Sequence, residues 1–249
     1  MNLTAELFYE LERRLRAMGM DSDAESFDTI KARLSNKEPL SPDDFARQAI
    51  YVILAGGFSQ KAAKAIHRKI MNVLERPNVG AKNHPPKSAI LSGPDNYSPL
   101  QSASQEQALF SELINLFNNK NKINAVVKIW LGRKKYRDDY YAPKDSDLET
   151  KLSYLSKLPH IGKITANHLA RNLGEDVVKY DIWIQRLGVA FAAGGEELKS
   201  KIDNGNLDPD VRAACDKMFA HLARVTGLPR GYIDVVLWKA CQNHMIGGI

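Results

Sequence analysis

The residue best placed for chemistry is Asp181, which follows a break in the helical pattern and directly precedes the apolar run Ile182 to Phe191. A carboxylate there can cap free N–H groups at a helix start. Once fixed, it can also stabilise a developing positive charge and orient a water for attack. A purely structural N-cap would occupy the same position. Upstream, Pro159-His160-Ile161-Gly162-Lys163 forms a short glycine turn between two amphipathic segments. Such a turn presents its own N–H groups, and those of the following helix, to a phosphate. Lys163 and Thr165 can add side-chain contacts that position a protein on nucleic acid without reading its sequence. A third signal lies between Asn118 and Arg137, where seven cations (Lys120, Lys122, Lys128, Arg133, Lys134, Lys135 and Arg137) occur with no acid. A phosphate-contacting surface and a plain solvated helix and loop describe this run equally well.

The elements that must hold these residues are helical throughout. Leu3, Leu7, Leu11 and Leu15 share a face, and Phe27, Ile30 and Leu34 continue the pattern. Ser41-Pro42-Asp43-Asp44 predicts a helix start, with the helix running to about Ala55 before Gly56 and Gly57. A helix is expected over Ser59 to Leu74, then Glu106 to Asn118 and Ile123 to Leu131. Leu148, Leu152, Leu155 and Leu158 mark a helix stopping at Pro159, Ile164 to Leu173 one ending at Gly174, and Gly231 to His244 the last. Between Arg76 and Leu100 lies a long irregular connection with five prolines. No strand set is evident, so the expected fold class is all-α.

Across 249 residues with 44% hydrophobic content the chain can bury a substantial core. A formal net charge of +6 and a pI near 9.2 suit a polyanionic partner. Cys215 and Cys241 are too few for a disulfide framework, a thiolate zinc site or an iron–sulfur cluster. The six histidines lack metal-ligand spacing and read as surface residues, so no catalytic metal or other catalytic cofactor is expected. The start lacks a signal-peptide pattern, and no run approaches the roughly 18 apolar residues of a membrane span. The expectation is a cytoplasmic monomer without a membrane partner.

Leu158-Pro159-His160-Ile161-Gly162-Lys163-Ile164-Thr165-Ala166-Asn167, followed by Tyr180-Asp181-Ile182-Trp183-Ile184-Gln185-Arg186, resembles the paired signature of the helix-hairpin-helix DNA glycosylase superfamily, which includes endonuclease III and the alkylpurine glycosylases. The resemblance implies a two-domain fold with the active site in the interdomain cleft. A middle bundle would span 41–165, and a second domain 1–40 plus 166–249. It implies double-stranded DNA as partner and Asp181 as the catalytic carboxylate of base excision repair. His160, Ile161, Gly162, Lys163 and Thr165 would be the DNA-binding hairpin. The target base would be flipped out into a pocket for which Trp183, Trp238, Phe58 and Gln60 are candidates, although each tryptophan reads equally well as core. The main-chain carbonyls of Ser156, Leu158 and Ile161 would hold a structural monovalent cation.

Departures from the family shape the expected reaction. Ile164 stands where lyase members carry a Schiff-base lysine, and Lys163, about 100° round the helix, points elsewhere. The expected enzyme is therefore a monofunctional glycosylase that leaves an abasic site. Ile182 and Trp183 replace the usual threonine and histidine. Alkylated purine is the favoured base; oxidised purine, mismatched pyrimidine and hypermodified phage cytosine stay open. The alternatives are a noncatalytic DNA-binding protein using the same hairpin and a bifunctional glycosylase/lyase recruiting Lys163 or another amine.

Overall fold

The computed structural model describes residues 3–22, 24–76, 99–142, 147–192, 195–203 and 206–247. Among them are twelve α-helices, one 3-10 segment and, outside these, a lone antiparallel bridge between Ser22 and Ser26. The architecture is all-α. None of the described helices is long and apolar enough to cross a membrane. Most of the proline-rich connection, residues 77–98, lies outside the described residues.

The chain divides into two compact units. A terminal unit comprises Met1–Leu40, Pro143–Lys157 and Ile161–Ile249; a middle unit comprises Ser41–Ala142 and Leu158–His160. The sequence reading carried the middle bundle through residue 165, whereas both helices flanking the hairpin turn group with the chain ends. The terminal unit opens with α1 (Ala5–Ala17) and α2 (Phe27–Asn36), capped by Thr4 and Ser26. Leu3, Leu11, Leu15, Phe27, Ile30 and Leu34 are buried as their spacing requires.

In the middle unit, α3 (Pro42–Ala55) starts where the sequence predicts, with Ser41 Oγ accepting the Asp44 N–H at 3.1 Å. Nearly every residue from Phe45 to Leu54 is buried, which makes α3 the central helix. It packs against α4 (Gln60–Leu74), α6 (Lys120–Leu131) and α7 (Arg133–Tyr141), while α5 (Pro99–Ile114) packs on α6. The fifth helix starts and ends earlier than its periodicity suggests, and α7 takes up the end of the basic run as a separate helix. That run is not one open cationic face. Lys122 is buried: its ammonium takes the Leu54 carbonyl at 3.2 Å and the Gly56 carbonyl at 2.5 Å, closing the negative end of α3. Arg133 pairs with Asp43, Lys134 and Arg137 with Asp138, and Lys135 with Asp139.

His67 and His168 correct the expectation of surface histidines, since His168 is 3% exposed and His67 is packed edge-on against Tyr51 at 5.5 Å. The His67 Nε2–H donates to the Arg47 carbonyl at 3.1 Å. Burial pushes its pKa down from 6.5 to about 4. The folded state therefore keeps the ring neutral where the unfolded chain would protonate it. This contribution to stability is complete above pH about 6.5 and is lost as pH falls toward about 4, by up to about 1.4 kcal/mol per pH unit. NMR titration should place the His67 ring near 4, and His67→Gln should flatten the stability slope over that window. A ring titrating near 6.5 would contradict the assignment.

Candidate active site

The last stretch of the chain builds the site. It contains α8 (Leu148–Leu155), α9 (Lys163–Asn172), α10 (Ile182–Phe191), a 3-10 segment (Gly195–Lys201), α11 (Pro209–Thr226) and α12 (Arg230–Gln242). After α9, Gly174 turns the backbone at φ +101°, and an added Cβ would lie 3.2 Å from the Arg33 carbonyl. The strip 175–181 then runs without regular structure to Asp181, the N-cap of α10. Asp181 Oδ1 accepts the N–H groups of Trp183 at 3.1 Å and Ile184 at 3.3 Å. Oδ2 faces the Lys179 ammonium at 3.1 Å. One oxygen is thus pinned by backbone and the other by a side-chain cation, in a residue 7% exposed.

A buried ion pair fixes the strip from beneath. Arg171 of α9 and Asp234 of α12, 1% and 0% exposed, meet at 2.6 Å, and Asp234 Oδ2 also accepts the Lys179 N–H at 3.2 Å. Burial pushes the Asp234 carboxyl up to about 6 against the pull of Arg171, and the charge of Asp181 adds to the rise. Gly231 lets α12 approach: a Cβ there would stand 3.1 Å from both Arg171 Cγ and the Val177 carbonyl. Buried Gln185 holds the other side, donating to the Tyr180 and Asp203 carbonyls at 3.0 and 2.7 Å. Burial, with the nearby Asp181 and Asp234 charges, pushes the Cys241 thiol up to about 12, and burial likewise pushes Cys215 up to about 12. Neither thiol is an accessible nucleophile.

Trp238 belongs to the core at 6% exposure, yet Lys179 Nζ lies 4.8 Å from its ring centroid. Through Lys179, the ring and the Asp181 carboxylate share one neighbourhood. Trp183 is half-buried, edge-on to His244 at 6.1 Å and beneath the Arg186 guanidinium at 5.5 Å. In the middle unit Phe58 is exposed, packs edge-on against Phe117 at 5.5 Å and carries Lys122 Nζ 4.8 Å from its centroid. Gln60 opens α4.

At the hairpin, His160 takes a left-handed conformation at φ +60° and is exposed. Gly162 is the N-cap of α9 and provides no side-chain cap, and Gly162 and Lys163 are exposed with Thr165 half-buried. The N–H groups opening α9 therefore point out of the helix end without a side-chain acceptor. The Ile161 side chain is buried at 4%, so only its main chain is available to a ligand. Leu158 is buried at 5% and Ser156 caps α8. Among the described residues, no main-chain hydrogen bond outside the helices ends on the carbonyls of Ser156, Leu158 or Ile161. No group of three or more His, Cys, Asp or Glu among the described residues is placed to hold a metal ion.

No protein-family model matches the chain, nor does any curated protein or solved structure. Lys179, Arg171 and Asp234 were not singled out from sequence. The signal for the last was present, as an acid inside the apolar run Tyr232 to Leu237 of a helix otherwise fit for the core. Two substitutions test how the site is held. Asp234→Ala should cost about 3–5 kcal/mol in urea unfolding, because it leaves Arg171 buried without its counter-charge. Asp181→Ala should cost about 0.5–2 kcal/mol, and Asp181→Asn much less, because asparagine still caps. A loss under about 0.5 kcal/mol for Asp234→Ala would contradict the assigned anchor.

Proposed function

We propose that this chain is a DNA N-glycosylase of the helix-hairpin-helix type, hydrolysing the N-glycosidic bond of a damaged or modified base, with alkylated purine the favoured class. The observation that carries the reading is the two-sided environment of Asp181. Oδ1 is fixed by two backbone N–H groups, whereas Oδ2 faces the Lys179 ammonium at 3.1 Å. As a base departs, positive charge grows on the sugar, and that charge can take the place of Lys179 beside Oδ2. The same carboxylate can then orient the attacking water. Fixing the carboxylate in advance means that little reorganisation is needed at the moment of reaction.

The exposed turn Gly162–Lys163, with Thr165 and the main chain of His160 and Ile161, supports binding of one phosphate of duplex DNA at the start of α9. The carbonyls of Ser156, Leu158 and Ile161 would hold a structural monovalent cation that stiffens this turn. Trp183 and Trp238 are the pocket candidates nearest Asp181 in sequence and through Lys179, respectively.

A second reading draws on one observation: Lys179 places an amine 3.1 Å from Asp181. This supports the bifunctional alternative, with Lys179 in place of the lysine absent at position 164. Base release from duplexes carrying a panel of lesions, followed by alkaline strand scission, tests the main reading. The wild type should release one class of base, and Asp181→Asn should slow release by at least about 10²-fold while binding persists. Tight, salt-sensitive binding without release from any lesion would favour a noncatalytic DNA-binding protein instead. Borohydride should trap no adduct on abasic DNA, and an adduct abolished by Lys179→Met would establish the bifunctional alternative.

A further inference from the structure

A second feature of the terminal unit stands apart from the Asp181 carboxylate. A pocket of about 490 Å³ opens beside the strip 176–180 and is lined in part by Tyr180, Asp176, Arg212, Asp216, Lys217 and Arg230. Asp181, next in sequence to Tyr180, does not line it. The volume falls within the range of small-molecule sites.

The charges in this pocket are unequally engaged. Both acids have partners within the protein: Asp216 Oδ1 accepts the Tyr180 hydroxyl at 2.5 Å, and Asp176 Oδ1 accepts the Gly231 N–H at 2.8 Å. Arg212 lies 3.7 Å from Asp216 and 5.6 Å from the centroid of the Tyr180 ring, half engaged by each. Lys217 and Arg230 are exposed and take no ion pair among the described residues. The pocket therefore offers an anion two unengaged cations and a third only loosely held. The aromatic ring beside them has its hydroxyl already committed.

We propose that this pocket binds a nucleotide phosphate, with Lys217 and Arg230 as its charged ligands and Arg212 completing the cationic rim. A lysine contributes a point charge, and an arginine can take two phosphate oxygens at once. The ligand chemistry is shared by a free mononucleotide and by a phosphodiester of a nucleic-acid strand. The site does not require base release and stands separately from the glycosylase reading.

The test is equilibrium binding by the full chain of three probes: inorganic phosphate, thymidine monophosphate and a short duplex oligonucleotide, with unphosphorylated thymidine as control. The wild type is compared with Lys217→Ala/Arg230→Ala and with a charge-matched double variant, Arg14→Ala/Lys69→Ala, made at exposed positions of α1 and α4. Because Lys217 and Arg230 are exposed, the first variant should melt as the wild type does. It should bind at least one phosphate-bearing probe about tenfold more weakly, while the matched variant and the thymidine control show no such change. Loss with thymidine monophosphate or inorganic phosphate identifies a free-phosphate site. Loss with duplex alone identifies a strand phosphodiester, and the slope of log K against log salt should then become shallower by about 1.8 for two contacts removed. Equal weakening by both double variants, or no dependence of any probe on Lys217 and Arg230, would overturn the proposal. Should duplex fail to bind the wild type, the glycosylase reading falls, while the mononucleotide and phosphate arms still decide this site.

Discussion

A guanidinium and a carboxylate meet in the buried interior of the terminal unit, Arg171 at 1% and Asp234 at 0% exposure, 2.6 Å apart. Removing two charges from water is costly, and mutual attraction offsets the cost only when geometry is good and other hydrogen bonds help. Here the Lys179 N–H supplies one such bond. The pair ties α9, which begins at the hairpin turn, to α12, which carries Trp238, and to the strip leading into Asp181. An apolar pair of equal volume could fill the same space, but it could not receive the backbone N–H that sets the course of residues 177–181. The choice of charge over hydrocarbon is thus a choice about where the strip runs.

From that anchor the polarity of the site follows in order. Asp234 fixes the backbone of Lys179, and the side chain of Lys179 reaches the Asp181 carboxylate and the face of Trp238. Asp181 in turn starts α10, whose first N–H groups hold one of its oxygens. Structural capping and the proposed catalysis therefore do not compete. A cap that engages one oxygen leaves the other for chemistry, and the energy of the cap is what holds that oxygen still. The charge of Asp181 also reaches back to Asp234, adding to the rise that burial causes.

Much of this was legible in the residues themselves. Helix starts at Ser41, Ser59 and Asp181 were readable because capping is local: an acceptor side chain precedes an apolar period, and the structure bears out all three. The all-α class followed from periodicity for the same reason. Side-chain partnerships were not legible, because they depend on how the fold brings side chains together, across long separations or, for Lys179 and Asp181, along an irregular strip whose path no periodicity sets. Lys122 resembled its six basic neighbours until α3 placed two carbonyls within its reach. Arg133 lies 90 residues from Asp43, and Arg171 lies 63 from Asp234. The buried side chain of Ile161 likewise depends on packing that the hairpin motif does not specify. Asp181 could be named from its place in the chain, but Lys179, its immediate electrostatic partner, could not.

The central claim is that Asp181 is held ready for a positively charged sugar. The most direct measurement compares the affinity of the protein for two duplexes that differ at one position, one carrying a protonated pyrrolidine in place of the sugar and the other a neutral tetrahydrofuran. A site built for the charge of the transition state should bind the cationic duplex more tightly by roughly 10²-fold or more. Asp181→Asn should erase that preference while leaving affinity for the neutral duplex unchanged. Equal affinities in the wild type, or a preference that survives Asp181→Asn, would contradict the account.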